Sequence, residues 1–245
     1  MRNPSTSIRA DQLLVRYGYC TRRLARRWIK AGRVTTPHGP ILSPDTRVDP
    51  STVCVDGEPV PFPNGLFIAL NKPTGYVCSH AAADGVPVYR LLPAEWLSRS
   101  PVPGTIGRLD RDTSGLLLIT DLGWLQHALS APGRGVAKRY RVRTDRALPK
   151  EIAPAFASGK LVLAGETRPC LPAELHVCGE REARVTLFEG RHRQVRRMFA
   201  AFGVEVIELH RLAVGPYTLD GLATGSYRIL ELPHAPADDQ ARGDA

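Results

Sequence analysis

The chain has 245 residues, of which 43% are hydrophobic and 23% charged, and its formal net charge is +9. That much apolar material can build one large domain, or a small domain joined to a medium one, and excludes a fully disordered chain. No apolar run is long enough to span a bilayer, and residues 1–9 lack the apolar core of a signal peptide, so a cytoplasmic protein with no membrane partner is expected.

Five cysteines (Cys20, Cys54, Cys78, Cys170 and Cys178) are scattered with no Cys-x-x-Cys pair. That pattern argues against a disulfide framework and a structural zinc site, and predicts free, mostly buried thiols. The positive charge suggests a polyanionic partner, because a basic surface gains by releasing the counterions condensed on nucleic acid. A solvated basic surface with no partner is the plain alternative.

Basic residues crowd the N-terminal end. Arg9, Arg16, Arg22, Arg23, Arg26, Arg27, Lys30 and Arg33 face a single acid, Asp11. Apolar spacing predicts two short helices, one with Leu13, Leu14 and Tyr17 inward, the next with Leu24, Trp28 and Ile29 inward. Gly18 can end the first and Thr21 can cap the second. A small sheet follows: Val34-Thr35, a turn over 37–40, Thr52 to Val55, an Asp56-Gly57 hairpin signal and Val60. The Pro-rich stretch Pro59 to Pro63, with Asn64-Gly65, reads as a linker.

The run Ile8-Arg9-x-Asp11-x-Leu13-Leu14, Gly18, Thr21-Arg22-Arg23, Ile29-x-x-Gly32-Arg33-Val34 and Val53-x-Val55-Asp56-Gly57 resembles the S4 RNA-binding domain. Ala10 stands where that family often has leucine. The resemblance implies an S4-like domain over 8–62, with Arg22, Arg23, Arg26, Arg27, Lys30 and Arg33 as RNA contacts.

From Leu66 the chain changes to short strands between turns. Strands are expected at Leu66–Leu70, Gly115–Thr120, Lys138–Arg143, Ala183–Phe188, Val204–Leu209 and Tyr227–Leu230. A helix is expected over His192–Phe202, with Val195, Met198, Phe199 and Phe202 on one face. The reading is α+β with a largely antiparallel mixed sheet and flanking helices over 66–232. Residues 233–245 read as a disordered tail.

The most informative stretch is Gly107-Arg108-Leu109-Asp110-Arg111-Asp112-Thr113-Ser114-Gly115-Leu116-Leu117. It is a polar turn feeding an apolar strand, a rigid mount for a carboxylate at a loop tip. Taken by themselves, Asp110 and Asp112 could equally bond turn amides. Three further blocks lie along the chain: Leu70-Asn71-Lys72-Pro73-x-Gly75-Tyr76-Val77-Cys78-Ser79, Lys138-Arg139-Tyr140-x-Val142, and Glu189-Gly190-Arg191-x-x-Gln194-Val195-Arg196-Arg197-Met198-Phe199.

With the Gly-Arg-Leu-Asp turn, these blocks resemble the pseudouridine synthases of the RsuA family over nearly the whole chain. The resemblance implies that Asp110 is the catalytic carboxylate, Tyr140 stacks on a flipped uracil and assists proton transfer, and Arg196 forms an ion pair with Asp110 that holds it charged. Whether Asp110 attacks the sugar or the base, or acts as a base in a glycal route, stays open. Lys72 has an architectural role and a possible phosphate contact. Arg108 fills the vacated space or holds phosphate, and Arg191, Arg193 and Arg197 are further RNA contacts. His192 reads as a cap or phosphate contact, and His210-Arg211 as structural or RNA-contacting.

The reaction is an isomerisation without redox change, so neither cofactor nor metal is expected. The implied partner is ribosomal RNA, within 16S small-subunit RNA at a uridine of the 516 type, in a partly assembled subunit, with the protein a monomer. Arg193 looks more like the large-subunit enzymes, which makes 23S RNA the enzymatic alternative. A non-catalytic RNA-binding assembly factor is the alternative of another class.

Overall fold

The computed structural model describes residues 7–131 and 133–234, and the expected tail lies, from Ala235 onward, outside the described residues. In the N-terminal part, helices Ala10–Arg16 and Arg22–Lys30 pack beside a four-stranded sheet ordered Gly39–Pro40, Val34–Thr36, Cys54–Val55, Glu58–Pro59. Leu13, Leu14, Tyr17, Ala25, Ile29, Val34, Val53 and Val55 form its core. Asp56 and Gly57 both take positive φ (54° and 86°), the twist that a two-residue hairpin turn needs.

The second helix differs from its expected face. Ala25 and Ile29 point inward, whereas Leu24 is 38% exposed and Trp28 half-buried. A short helix crossing another at close range favours the small Ala25 over Leu24 at the contact. Thr21 occupies the extended N-cap position, but its side chain makes no capping bond.

The larger part is built on a sheet in which seven strands run in the order Glu174–Gly179, Glu182–Leu187, Lys138–Thr144, Val206–Val214, Thr113–Thr120, Phe67–Lys72, Tyr227–Ile229. Gly104–Ile106 and Tyr217–Thr218 pair with its flanks. All pairings in this sheet are antiparallel except that of Thr113–Gly115 with Leu209–Arg211. The expected α+β architecture, with a mixed and mostly antiparallel sheet, is therefore present.

Sequence pattern explains which strands lie where. Phe67–Lys72 and Thr113–Thr120 are apolar at successive positions because both faces are covered. Phe67, Ala69, Leu116 and Leu118 meet Leu125 of helix Gly123–Ser130, while Ile68, Leu70, Leu117 and Ile119 join the main core. Lys138–Thr144 alternates because one of its faces is open: Tyr140, Val142 and Thr144 are buried and Arg139, Arg141 and Arg143 exposed. Helices Ile152–Ala157 and Gln194–Ala200 supply Phe156, Met198 and Phe199 to the main core.

The parallel contact within this sheet forces one residue type. Gly115 has φ of 103°, and a Cβ built on it would lie 2.3 Å from the Arg211 carbonyl oxygen. Only glycine lets the two backbones approach this closely. Gly115→Ala should lower stability by about 3 kcal/mol, read as a reduced urea midpoint, through strain at this φ plus displacement of the strand. A midpoint equal to wild type would show that the approach is not a constraint.

Candidate active site

At the end of the sheet where the parallel pair begins, a cleft of about 670 Å³ opens. The Gly107–Arg111 turn lines one side, Lys138 and Tyr140 the floor, and the Glu189–Val195 segment another side. Asp110 lies within it, half-buried. Its carboxylate has no hydrogen bond or ion pair among the described residues, while its main chain is held firmly.

That grip comes from Lys72, which ends the strand Phe67–Lys72 and is 0% exposed. Its Nζ donates to the carbonyls of Asp110 (3.0 Å), Thr113 (2.7 Å) and Pro73 (3.1 Å). Three acceptors match the three protons of an ammonium. Burial pushes the lysine pKa down, opposed by the nearby Cys78, Asp112 and Asp110. The expected phosphate contact of Lys72 is therefore corrected: a side chain with no exposure and three main-chain acceptors is not available to RNA. The Arg111 carbonyl, in turn, accepts from the Gly75 amide at 2.7 Å.

Arg196 is also placed differently from expectation. Its Nη2 meets the Asp112 carboxylate and carbonyl, each at 3.1 Å, and its Nη1 donates to the Val206 carbonyl. It is not among the residues lining the cleft. The expected Arg196–Asp110 ion pair is thus replaced by an Arg196–Asp112 pair. The turn projects its two carboxylates apart, Asp110 into the cleft and Asp112 toward helix Gln194–Ala200. Arg193 reaches the same Asp112 oxygen at 3.1 Å.

Tyr140 is buried in the floor of the cleft beside Leu187 and Leu209. The pairing register shifts between Arg139 and Tyr140 along the neighbouring strand Val206–Val214. Such irregularities re-aim side chains near sites.

The Glu189–Arg197 segment is a network of its own. Arg193 takes a left-handed conformation (φ 49°), so the helix starts at Gln194 rather than at His192. The buried Gln194 accepts from the Arg191 amide and donates to Glu189. Arg191 spends its guanidinium on Glu166, Glu189 and the carbonyls of Arg168 and Pro169. Arg197 does so on Glu166, His192 and Ala164. Arg191 and Arg197, expected as RNA contacts, are thus engaged internally by Glu166 and main-chain carbonyls, unlike the free cations. His192 is exposed at the cleft and makes no side-chain cap. Arg211, 1% exposed, donates to the Leu116 and Gly107 carbonyls and so belongs to the frame.

Arg108 is exposed at the cleft, with no hydrogen bond or ion pair among the described residues. The same holds for Arg22, Arg23, Arg26, Arg27 and Lys30 on the N-terminal domain, where the first three line a groove with Arg9 and Gln12. Arg33 is the exception in that set. It pairs with Asp56 and stacks over Trp28 at 3.5 Å, which makes it part of the domain's own fabric. Among the described residues, no group of three or more His, Cys, Asp or Glu is placed to hold a metal ion. The five cysteines are free, but only Cys78 and Cys170 are buried.

Glu166, Gln194 and Asp112 escaped sequence reasoning as anchors. The only available signal was that Asp112 shares the turn of Asp110 and Gln194 shares the Arg-rich block.

Free cations on one domain and an unpaired carboxylate in a cleft on the next suit an enzyme that acts on a polyanion such as RNA. Residues 8–54 match the S4 domain, and residues 66–201 match the RNA pseudouridylate synthase family. Similar curated proteins include Ribosomal small subunit pseudouridine synthase A of Pasteurella multocida (36% identical) and of Escherichia coli K12 (37%); each alignment covers 91% of this chain and 96% of the relative. An RNA pseudouridine synthase of Bacillus subtilis is 35% identical over 229 residues. A crystal structure of a pseudouridylate synthase aligns with a TM-score of 0.63 and 30% identity, covering 92% of this chain and 96% of that one. The chain belongs to the RNA pseudouridylate synthase family and carries an N-terminal S4 domain.

Glu166 offers a test of how the last block is held. Bonds from Arg191, then Arg197, depress its carboxyl below the ordinary value of 4.5. A depressed carboxylate contributes stability above its unfolded pKa and loses it as pH falls through the folded value. Glu166→Gln should therefore lower the urea midpoint at neutral pH, and its gap from wild type should close as pH falls below the ordinary carboxyl value and through the depressed one. A gap independent of pH would contradict this anchoring.

Proposed function

We propose that this chain converts one uridine of 16S small-subunit ribosomal RNA to pseudouridine, with Asp110 as its catalytic carboxylate. The observation that carries the reading is the unpaired Asp110 side chain, mounted on an immobilised backbone, in a cleft floored by Tyr140.

The reaction cleaves the bond from C1′ of ribose to N1 of uracil, turns the base, and joins C1′ to C5, which then gives up its proton. The uridine must first leave its stack, at a cost of a few kcal/mol (roughly). The unpaired cations Arg22, Arg23, Arg26, Arg27, Lys30 and Arg108 offset that cost by holding phosphate, and Tyr140 gives the extruded base an aromatic surface. Whether Asp110 attacks C1′ or the ring, or removes a sugar proton, it must be ionised and free of a strong partner. Tyr140, at the floor, assists proton transfer at C5.

Arg196 acts at one remove. It fixes Asp112, two residues beyond Asp110, and so sets the turn from behind. Arg193 supports it by pairing with the same carboxylate at the rim.

The small-subunit target is supported by two relatives whose printed names specify that subunit and by end-to-end similarity to them. The substrate is the RNA in a partly assembled subunit, met in the cytoplasm by a monomer.

Asp110→Asn preserves shape and removes the charge. Pseudouridine formation should fall at least ~10³-fold while RNA affinity stays within twofold of wild type. Normal turnover by this variant would reject the assignment. Mapping pseudouridine in both ribosomal RNAs of a deletion strain should show one site missing from the small subunit. A missing site in the large subunit instead would move the target to 23S RNA.

A further inference from the structure

Arg99 belongs to none of the groups discussed so far. It is 3% exposed, its partner Asp121 is 7% exposed in its side chain, and the two meet at 2.7 Å. Arg99 lies just after the single-turn helix Ala94–Ser98, and Asp121 just after the strand Thr113–Thr120, so both belong to the catalytic domain.

The rest of the Arg99 guanidinium points across the domain boundary. Nη1 and Nη2 donate to the carbonyls of Pro61 and Phe62, each at 3.2 Å, in the segment that joins the domains. Its flat face covers the ring of Tyr17 of the S4 domain at 4.7 Å. Asp121 uses its other oxygen to accept from the Leu66 amide at 2.7 Å, where the catalytic sheet begins.

Three further contacts follow the same seam. The Tyr17 hydroxyl donates to the Pro63 carbonyl at 2.5 Å. The Ser100 amide donates to the Arg16 carbonyl at 2.8 Å. A Cβ on Gly18 would come within 2.7 Å of Ser98, so the two backbones are in direct apposition there.

A Pro-rich joining segment would ordinarily allow the domains to sample many orientations. Here its carbonyls are taken up by a buried arginine, whose rigid planar fork suits several fixed acceptors at once. Burying an ion pair is a poor way to gain stability but a good way to fix one arrangement among several.

We propose that Arg99 is a positioning residue that locks the S4 domain onto the catalytic domain, so that the basic helix Arg22–Lys30 and the cleft form one rigid RNA-reading surface. This rests on the reading of both as RNA contacts. Its consequence is that the chain selects RNA in which the target uridine and the segment held by the helix stand at a fixed separation. A rigid joint holds the second contact at high effective concentration once the first is made, whereas a loose joint spreads it over many orientations.

The test uses the full chain with Arg99→Met, and with Tyr17→Phe as the milder variant. Amide hydrogen exchange at Ser100 reports the seam without any RNA. Steady-state pseudouridine formation on a partly assembled small subunit carrying unmodified ribosomal RNA reports its use. We expect the Ser100 amide to exchange at least ~10-fold faster in Arg99→Met, and KM to rise about tenfold while kcat stays within twofold. Tyr17→Phe should shift both in the same direction by less. It decides the matter on the same two readouts if Arg99→Met is too unstable to assay.

Unchanged exchange at Ser100 in both variants would overturn the lock. So would faster exchange with KM unchanged, or a fall in kcat alone, since the joint would then not serve RNA selection. If the wild-type chain makes no pseudouridine in this particle, the proposed target fails, while the exchange result still decides whether the joint is rigid.

Discussion

A buried ammonium holds the turn that carries Asp110 in shape. The Lys72 Nζ donates to the carbonyls on either side of the Arg111-Asp112 pair, at Asp110 and Thr113, and to that of Pro73 beside it. A turn with that many exposed polar groups would otherwise be mobile, because its amides and carbonyls are well solvated when free. With Lys72 in place, the backbone beneath Asp110 is tied to the end of a strand covered on both faces. The carboxylate is left as the unengaged part of a fixed scaffold, which is the condition for a side chain that must meet a substrate and not a neighbour.

The remaining parts of the site repeat this division between frame and working group. Arg211 joins the strand Val206–Val214 to Gly107 and Leu116, and Gly115 lets that strand come close enough to do it. Arg196 and Arg193 take Asp112. Glu166 and Glu189 absorb Arg191 and Arg197, so those arginines shape the rim and are not spent on phosphate. Among the described residues, those left unpaired include Asp110, Arg108 and Arg111 at the cleft, and the arginines and lysine of the second helix of the S4 domain. Cations that keep their charge unpaired can exchange counterions for phosphates at little internal cost. Those already bonded to carboxylates would first have to break buried or half-buried pairs.

The amino-acid sequence by itself determined most of the element types and, through its motifs, the family. Continuous apolar runs marked the doubly covered strands, alternation marked the half-open strand bearing Tyr140, and Asp56-Gly57 marked a hairpin. The Gly-Arg-Leu-Asp turn and its three companion blocks were legible as a resemblance to a known family, because local motifs keep their spacing along the chain, whereas Asp110 and Asp112 taken alone could equally bond turn amides. Patterns of this kind survive in one dimension because helix and strand periods are set by the backbone.

Only the tertiary structure decided which charge meets which. Lys72, read as architectural with a possible phosphate contact, is wholly internal. Arg196 was assigned to Asp110 and binds Asp112. Arg99 and Asp121 carried no local signal, yet together they close the seam between the domains. Every one of these pairs joins residues far apart in the chain, on strands and turns whose neighbours are fixed by sheet order and register. A shift of one residue along a strand exchanges its inward and outward faces, so no inspection of neighbouring letters can choose the partner. The partners are chosen when burial leaves each ammonium, guanidinium and carboxylate a few acceptors or donors within reach, and the cost of an unpaired buried charge rejects the rest.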